Sequence, residues 1–192
     1  MAERSAGLRR FTGELVLGLA AEAQLRWAAV ELGGVAEEAR LRHDLSPVAA
    51  SALGRALAGA VLLQSLSARS CRRVVLSVTG DGPLRRVVAE ADDEGLVRGL
   101  VGEPRVELAP DPDGRISVGA ALGRGTLRVT RDLADGSAWD SQVALETGEL
   151  GLDLAHYLEQ REQVRSAVLV GVLEGPDGVR AAGGMIVEAL PG

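Results

Sequence analysis

The residues able to do chemistry are few. His43 and His156 are the only histidines and Cys71 the only cysteine. A hydrolase triad needs a histidine beside a nucleophile and an acid, and no GxSxG-type elbow is present to supply the nucleophile. His43 adjoins Asp44 at a helix end, and His156 lies on a predicted helix among carboxylates. Both read as surface or capping residues. One cysteine can form neither an intrachain disulfide nor a cysteine-based zinc site, so Cys71 reads as a small buried or strand-edge residue rather than a metal ligand. Asp111 and Asp113 before Gly114 resemble an oxygen-rich calcium loop, but the acidic residue required at its twelfth position is missing. The Gly80-Asp81-Gly82-Pro83-Leu84 run leads from one strand into another, without the helix N-terminus on which phosphate loops depend. The expectation is no enzyme, with no catalytic, metal or cofactor-binding residue.

The elements that frame these residues centre on Arg72 to Val101. Val74–Val78, Leu84–Ala89 and Leu96–Val101 are rich in β-branched residues and bounded by Gly, Pro or Asp clusters, which predicts a three-strand meander. In its first turn, Gly80 and Gly82 supply residues that accept positive φ; in its second, Asp92-Asp93-Glu94-Gly95, the glycine suits a left-handed position. Along the first strand Val74, Leu76 and Val78 share one side and Val75, Ser77 and Thr79 the other.

Residues up to about 12 read as a flexible lead-in. Arg9-Arg10, Leu15 to Ala21 and Ala21-Glu22-Ala23 loosely mimic an export signal, but the apolar run is short and Glu14 interrupts the basic region, so a cytoplasmic protein is expected. Arg26–Leu32 predicts a first strand ended by Gly33-Gly34, and Val35–Arg42 a short helix. Ser46 and Pro47 mark a helix start, hydroxyl N-cap followed by Pro at the first position. The helix to about Leu66 is apolar almost all round. Its length would suit a membrane, yet Arg55 near its middle and its dependence on Ala make it a core helix.

Glu103–Arg115 predicts a solvated loop and Ile116–Leu122 a short helix ended by Gly123. Thr126–Thr130 and Trp139–Leu145 predict strands paired across Asp135-Gly136. Thr147 opens a helix with Leu150, Leu154, Tyr157 and Leu158 at helical spacing. Val168–Leu173 and Val179–Val187 form a last hairpin around Gly175-Pro176-Asp177-Gly178. The sum is an α+β fold: one domain over residues 1–192, with an antiparallel, hairpin-rich sheet of about six or seven strands and a few helices.

The net charge of −6 excludes a phosphate-neutralising surface, and 2% aromatic residues exclude base-stacking platforms, so no nucleic acid is expected. What remains is a sheet rich in Val, Leu and Ala, one face of which could be a sticky patch for other apolar surfaces. Which face that would be, periodicity leaves open.

In order along the chain stand the Ser46-Pro47 helix running into Leu62-Leu63, Thr79-Gly80-Asp81-Gly82-Pro83-Leu84, Val129-Thr130-Arg131-Asp132-Leu133 and Thr147-Gly148-Glu149. Tyr157-Leu158-Glu159-Gln160-Arg161-Glu162-Gln163, Ala181-Ala182-Gly183-Gly184-Met185 and Leu190-Pro191-Gly192 follow. Over about Arg26 to Gly192 they resemble the core domain of the heat-shock protein 33 family of redox-regulated holdase chaperones. The resemblance implies a chaperone that holds unfolding client proteins without ATP through apolar sheet surface. It also implies a C-terminal zinc domain and linker whose four cysteines act as a redox switch. After Gly192 this sequence has no linker, and nowhere a CxC or CxxC, so zinc and redox activation attach to no residue here. The chain is expected either to be cut at the core boundary or to be a naturally short relative, holding clients without its own switch. Two alternatives are a homodimeric assembly domain that buries the apolar sheet and, in a different class, a small-ligand module or enzyme built on the acidic loops. The client-contacting residues are unknown at this level.

Overall fold

The protein, seen in a computed structural model, is described over residues 12–20, 22–108 and 117–190. Within these residues nine antiparallel strands form two sheets. The first sheet has the order β1 (Glu14–Ala20), β2 (Leu25–Glu31), β9 (Gly178–Ala189), β8 (Ser166–Gly175). The second has the order β5 (Val97–Val101), β4 (Arg86–Asp92), β3 (Cys71–Gly80), β6 (Gly125–Leu133), β7 (Ala138–Ala144). The fold class is the α+β expected, but the strands divide between two sheets rather than one, and β1 was not among those expected.

Between the layers runs α2 (Pro47–Ser65). Its all-round apolarity has a direct cause: one side packs on β8, β9 and β2 and the other on β3, β4 and β5. Small residues let both sheets approach its backbone. A Cβ at Gly54 would lie 2.6 Å from Val172 of the first sheet, and one at Gly59 3.2 Å from Leu76 of the second. Although α2 is long and apolar enough to cross a bilayer, it is a core helix. Pro47 stands at its first position as expected, but the Ser46 hydroxyl makes no cap hydrogen bond and is buried without a partner. Helices α1 (Gly33–His43) and α4 (Leu150–Tyr157, continued by a π-helical turn Leu158–Glu162) cover further parts of the first sheet.

The meander is β3-β4-β5, with Val74, Leu76 and Val78 on the buried side. Gly95 takes the predicted left-handed conformation (φ +83). The first turn works differently from the expectation. Its positive-φ residue is Arg85, whereas Gly80 and Gly82 serve close backbone approach: Cβ atoms there would fall 2.0 Å from the Leu122 carbonyl oxygen and 2.5 Å from that of Ala121. Asp81 Oδ1 accepts a hydrogen bond from Arg124 N (2.7 Å), fastening this turn to the end of α3 (Val118–Leu122).

Three further differences have local causes. The export-signal-like stretch from Leu15 is β1, paired residue for residue with β2, so Arg26–Leu32 covers the second strand rather than the first. Gly33 and Gly34 begin α1 instead of separating it from β2; the Glu31 carboxylate accepts from Gly33 N (2.6 Å) and takes over the capping. Helix α4 starts at Leu150, because Thr147 Oγ1 accepts from Glu149 N (3.0 Å) and the Asp153 carboxylate accepts from Glu146 N and Thr147 N, holding residues 146–149 in a turn. The calcium-like Asp111, Asp113 and Gly114 and most of the lead-in lie outside the described residues.

Leu57 is 1% exposed and points between α2 and the second sheet beside Gly99. Leu57→Ala is expected to cost about 2–5 kcal/mol of unfolding free energy, as for other cavity-forming core truncations, read as a fall in urea midpoint.

Candidate functional site

Register assigns every side chain of the first sheet to a face. On β2, β9 and β8 the inner set is Ala28, Val30, Ile186, Gly184, Val168, Val170 and Val172, turned towards α2. The outer set is Trp27 and Ala29 on β2, Val187 and Met185 on β9, Ala167, Leu169 and Leu173 on β8, joined by Val16 of β1. Leu169 is 71% exposed, Leu173 57% and Val16 53%. The Trp27 ring lies across Gly18, where a Cβ would come within 2.1 Å of it. Charge enters this strand surface at the end where β1 starts, through the paired Glu14 and Glu31 and through Arg180 of β9, whose side chain lies beside Gly175.

The outer face of the second sheet is the opposite. Val75 faces Glu90 and Thr130 across its two ladders, and Ser77 faces Arg128. Arg98 pairs with Glu90, Arg73 with Asp132 (2.8 Å), and Thr130 Oγ1 hydrogen-bonds to Asp140 Oδ1 (3.0 Å). Such a face is well solvated, while the first sheet's is not.

Polar groups between the layers gather in two places. At the C-terminal end of α2, Arg26 Nε donates to Glu188 Oε2 (2.5 Å), and Arg131 reaches Glu162 (2.7 Å) while its guanidinium lies 5.6 Å from the centre of the Trp139 ring. The Tyr157 hydroxyl bonds Ser141 Oγ (2.9 Å) and accepts from Arg131 (3.3 Å). Burial pushes Tyr157 up to about 12 and also raises Glu188, against the opposing charge of Arg26. The groups line a cavity of about 530 Å³, but each arginine here is matched by a carboxylate or carbonyl: Arg26 within the first sheet, Arg131 and Arg161 between the second sheet and the π-helical turn.

The second place is the end of β8 opposite the bulged Arg180 of β9, where Glu174 turns inward towards Arg40 of α1 and Arg55 of α2. Its Oε1 is buried without a partner, and so is Arg55 Nε. Arg40 is engaged by Glu37 (2.7 Å) and Arg55 by Glu149 (2.7 Å), so burial dominates and raises Glu174 to about 7 despite both arginines.

The residues weighed for chemistry do not converge. His43 is exposed at the end of α1; His156 Nε2 lies 3.1 Å from Glu146 Oε1. Cys71 is 2% exposed, its thiol 3.5 Å from Gln64 Oε1 and from the Arg73 carbonyl. Among the described residues no three His, Cys, Asp or Glu side chains gather as a metal site. The element missed in the sequence was β1: its ELVLGLA run is apolar on both faces and carries no polar alternation to mark it as a strand.

Two antiparallel sheets clamped on one helix, with one outer face left apolar, define an α+β core with a flat hydrophobic platform. The family model described as Hsp33 protein matches residues 13–192, and the chain belongs to that family. It is 50% identical over 182 residues to the 33 kDa chaperonin of one Thermus thermophilus strain, covering 94% of this chain and 53% of the relative. With that of Nostoc punctiforme it shares 46% over 178 residues, covering 93% and 59%. The crystal structure of the 33 kDa chaperonin of Thermotoga maritima superposes with a TM-score of 0.88 at 41% identity, covering 94% of this chain and 62% of that one. The chain thus spans little more than half the length of these relatives, whose name is that of a chaperone and not of an enzyme.

Because the folded-state value of Glu174 is raised, its contribution to stability is complete below about pH 4.5 and is lost as pH rises through about 7. Glu174→Gln is therefore expected to raise Tm at pH 8 by roughly a few degrees relative to the parent chain and to change it little at pH 5, by scanning calorimetry.

Proposed function

We propose that this chain is the core of an ATP-independent holdase that captures unfolding client proteins on the outer face of the β1-β2-β9-β8 sheet. The observation that carries this reading is the contrast between the two outer faces. One is a continuous field of Val, Leu, Met, Ala and Trp whose charges, Glu14, Glu31 and Arg180, stand at one end; the other is laced with ion pairs. Apolar side chains exposed in a flat, contiguous array gain free energy by covering any apolar segment, at about 25 cal/mol per Å² buried, without sequence preference. That is what binding many unfolded chains requires. Family membership and the chaperone name of the relatives support the same reading.

Cys71, the one thiol of this chain, is buried and lies on the second sheet, away from the platform. Holding by this chain is accordingly independent of oxidation, and no cofactor, nucleic acid or membrane takes part. A cytoplasmic location fits a fold that uses its single cysteine as a packed thiol.

Light scattering of a heat-unfolding client, without ATP, tests this. The chain is expected to suppress aggregation equally in reducing and oxidising buffer. Leu169→Asp with Leu173→Asp is expected to weaken suppression at least several-fold, while Thr79→Asp on the charged sheet leaves it unchanged. Loss in both variants, or suppression appearing only after oxidation, overturns the reading.

Homodimerisation is a second reading, favoured by the extent of the same platform. Two copies placed face to face would cover it between clients. Sedimentation equilibrium over a dilution series, with a hydrophobic dye present, is expected to show dye signal rising as the dimer dissociates.

A further inference from the structure

We infer that client segments are held as an added β-strand on the outer edge of β1, extending the platform sheet from four strands to five. This rests on the chaperone reading above and specifies the form in which the client is bound.

β1 is a terminal strand of its sheet. It pairs with β2 on one side, and among the described residues no strand pairs with the other. A row of N–H and C=O groups along such an edge is a template for another extended chain, and native proteins usually blunt it with Pro, Lys, bulges or a covering element. None of those devices is present in β1. Its sequence Glu14-Leu-Val-Leu-Gly-Leu-Ala20 has no Pro, Lys or Arg, and its seven pairs with β2 run without a register shift.

The other edge of the same sheet is protected. Helix α4 lies against β8 so closely that a Cβ at Gly151 would be 2.9 Å from the Val168 carbonyl oxygen. Among the described residues one edge is covered at Val168–Val170 and the other has no neighbour, an asymmetry that sheet stability alone does not call for.

Side chains along β1 are apolar on both faces. Leu15, Leu17 and Leu19 project to the inner side and Val16 to the outer, all between 44% and 67% exposed, because β1 packs chiefly on β2 and extends past α2. A strand added here would find apolar neighbours on both of its faces and hydrogen-bond partners along its main chain, while its outward side chains would continue the platform through Val16 and Trp27. The main chain is the one feature all unfolded proteins share. The occupant is therefore an extended, apolar segment of an unfolding polypeptide, selected by conformation and hydrophobicity rather than by sequence.

The test uses a fluorescent nine-residue peptide of alternating Val and Thr and a twin N-methylated at alternate residues, which removes the N–H groups from one peptide edge. Fluorescence anisotropy is expected to give at least tenfold tighter binding of the unmethylated peptide, and a ¹³C=O label in it is expected to show the amide I shift of strand pairing. Leu17→Lys with Leu19→Lys, both exposed positions, is expected to remove that tenfold difference while circular dichroism confirms the fold. Equal binding of the two peptides overturns the inference. So does dissociation of a dimer by the peptide, which would make a second copy the occupant of this edge. If the peptides bind equally while Leu169→Asp with Leu173→Asp still abolishes client suppression, the platform reading stands and strand addition alone falls. If those substitutions have no effect either, both fall.

Discussion

The whole structure depends on enclosing one helix, α2, between two sheets. A helix covered on both sides has no polar face to offer, and its Ala and Gly content lets the sheets come near enough to bury Leu53, Leu57, Leu62 and Leu63 at the same time. Each sheet spends one face on this contact. That leaves two outer faces and no further layer among the described residues to cover them.

The two outer faces meet that situation differently. On the second sheet, cross-strand ion pairs and hydrogen bonds between Arg98 and Glu90, Arg73 and Asp132, and Thr130 and Asp140 make the face compatible with water. On the first, Leu169, Leu173, Met185 and Val16 remain in solvent, an arrangement whose hydrophobic cost is recovered only when something apolar covers it.

Polar residues placed between the layers mark where the sandwich is held at its ends. At one end Arg26 pairs with Glu188 within the first sheet, and Arg131 ties the second sheet to Glu162 and Tyr157, so that each buried charge has a counter-charge. At the end of β8 the matching is incomplete: Glu174 faces arginines already committed to Glu37 and Glu149. The platform is therefore anchored by charge-matched groups at one end and by a proton-sensitive group at the other.

Much of the fold was readable from local pattern. Alternation and turn residues located β3 to β9 within a few positions, Ser46-Pro47 located α2, and the family motifs located the relationship. Periodicity even paired Val74, Leu76 and Val78 correctly, because their separation is a property of strand geometry. Other features were not local. Whether the strands formed one sheet or two, and that the ELVLGLA run was a strand rather than a leader, depended on which partner each met. The glycines of the Gly80-Asp81-Gly82 turn read as a demand for positive φ, whereas their purpose is the approach of Leu122, far along the chain. The candidate site shows the same division. The sequence by itself showed a sheet rich in Val, Leu and Ala and no convergent set of catalytic groups. Only the tertiary structure decided which face stays in water, because exposure is set by what packs on the other side of each strand, and α2 occupies one side of both sheets and neither of the outer ones.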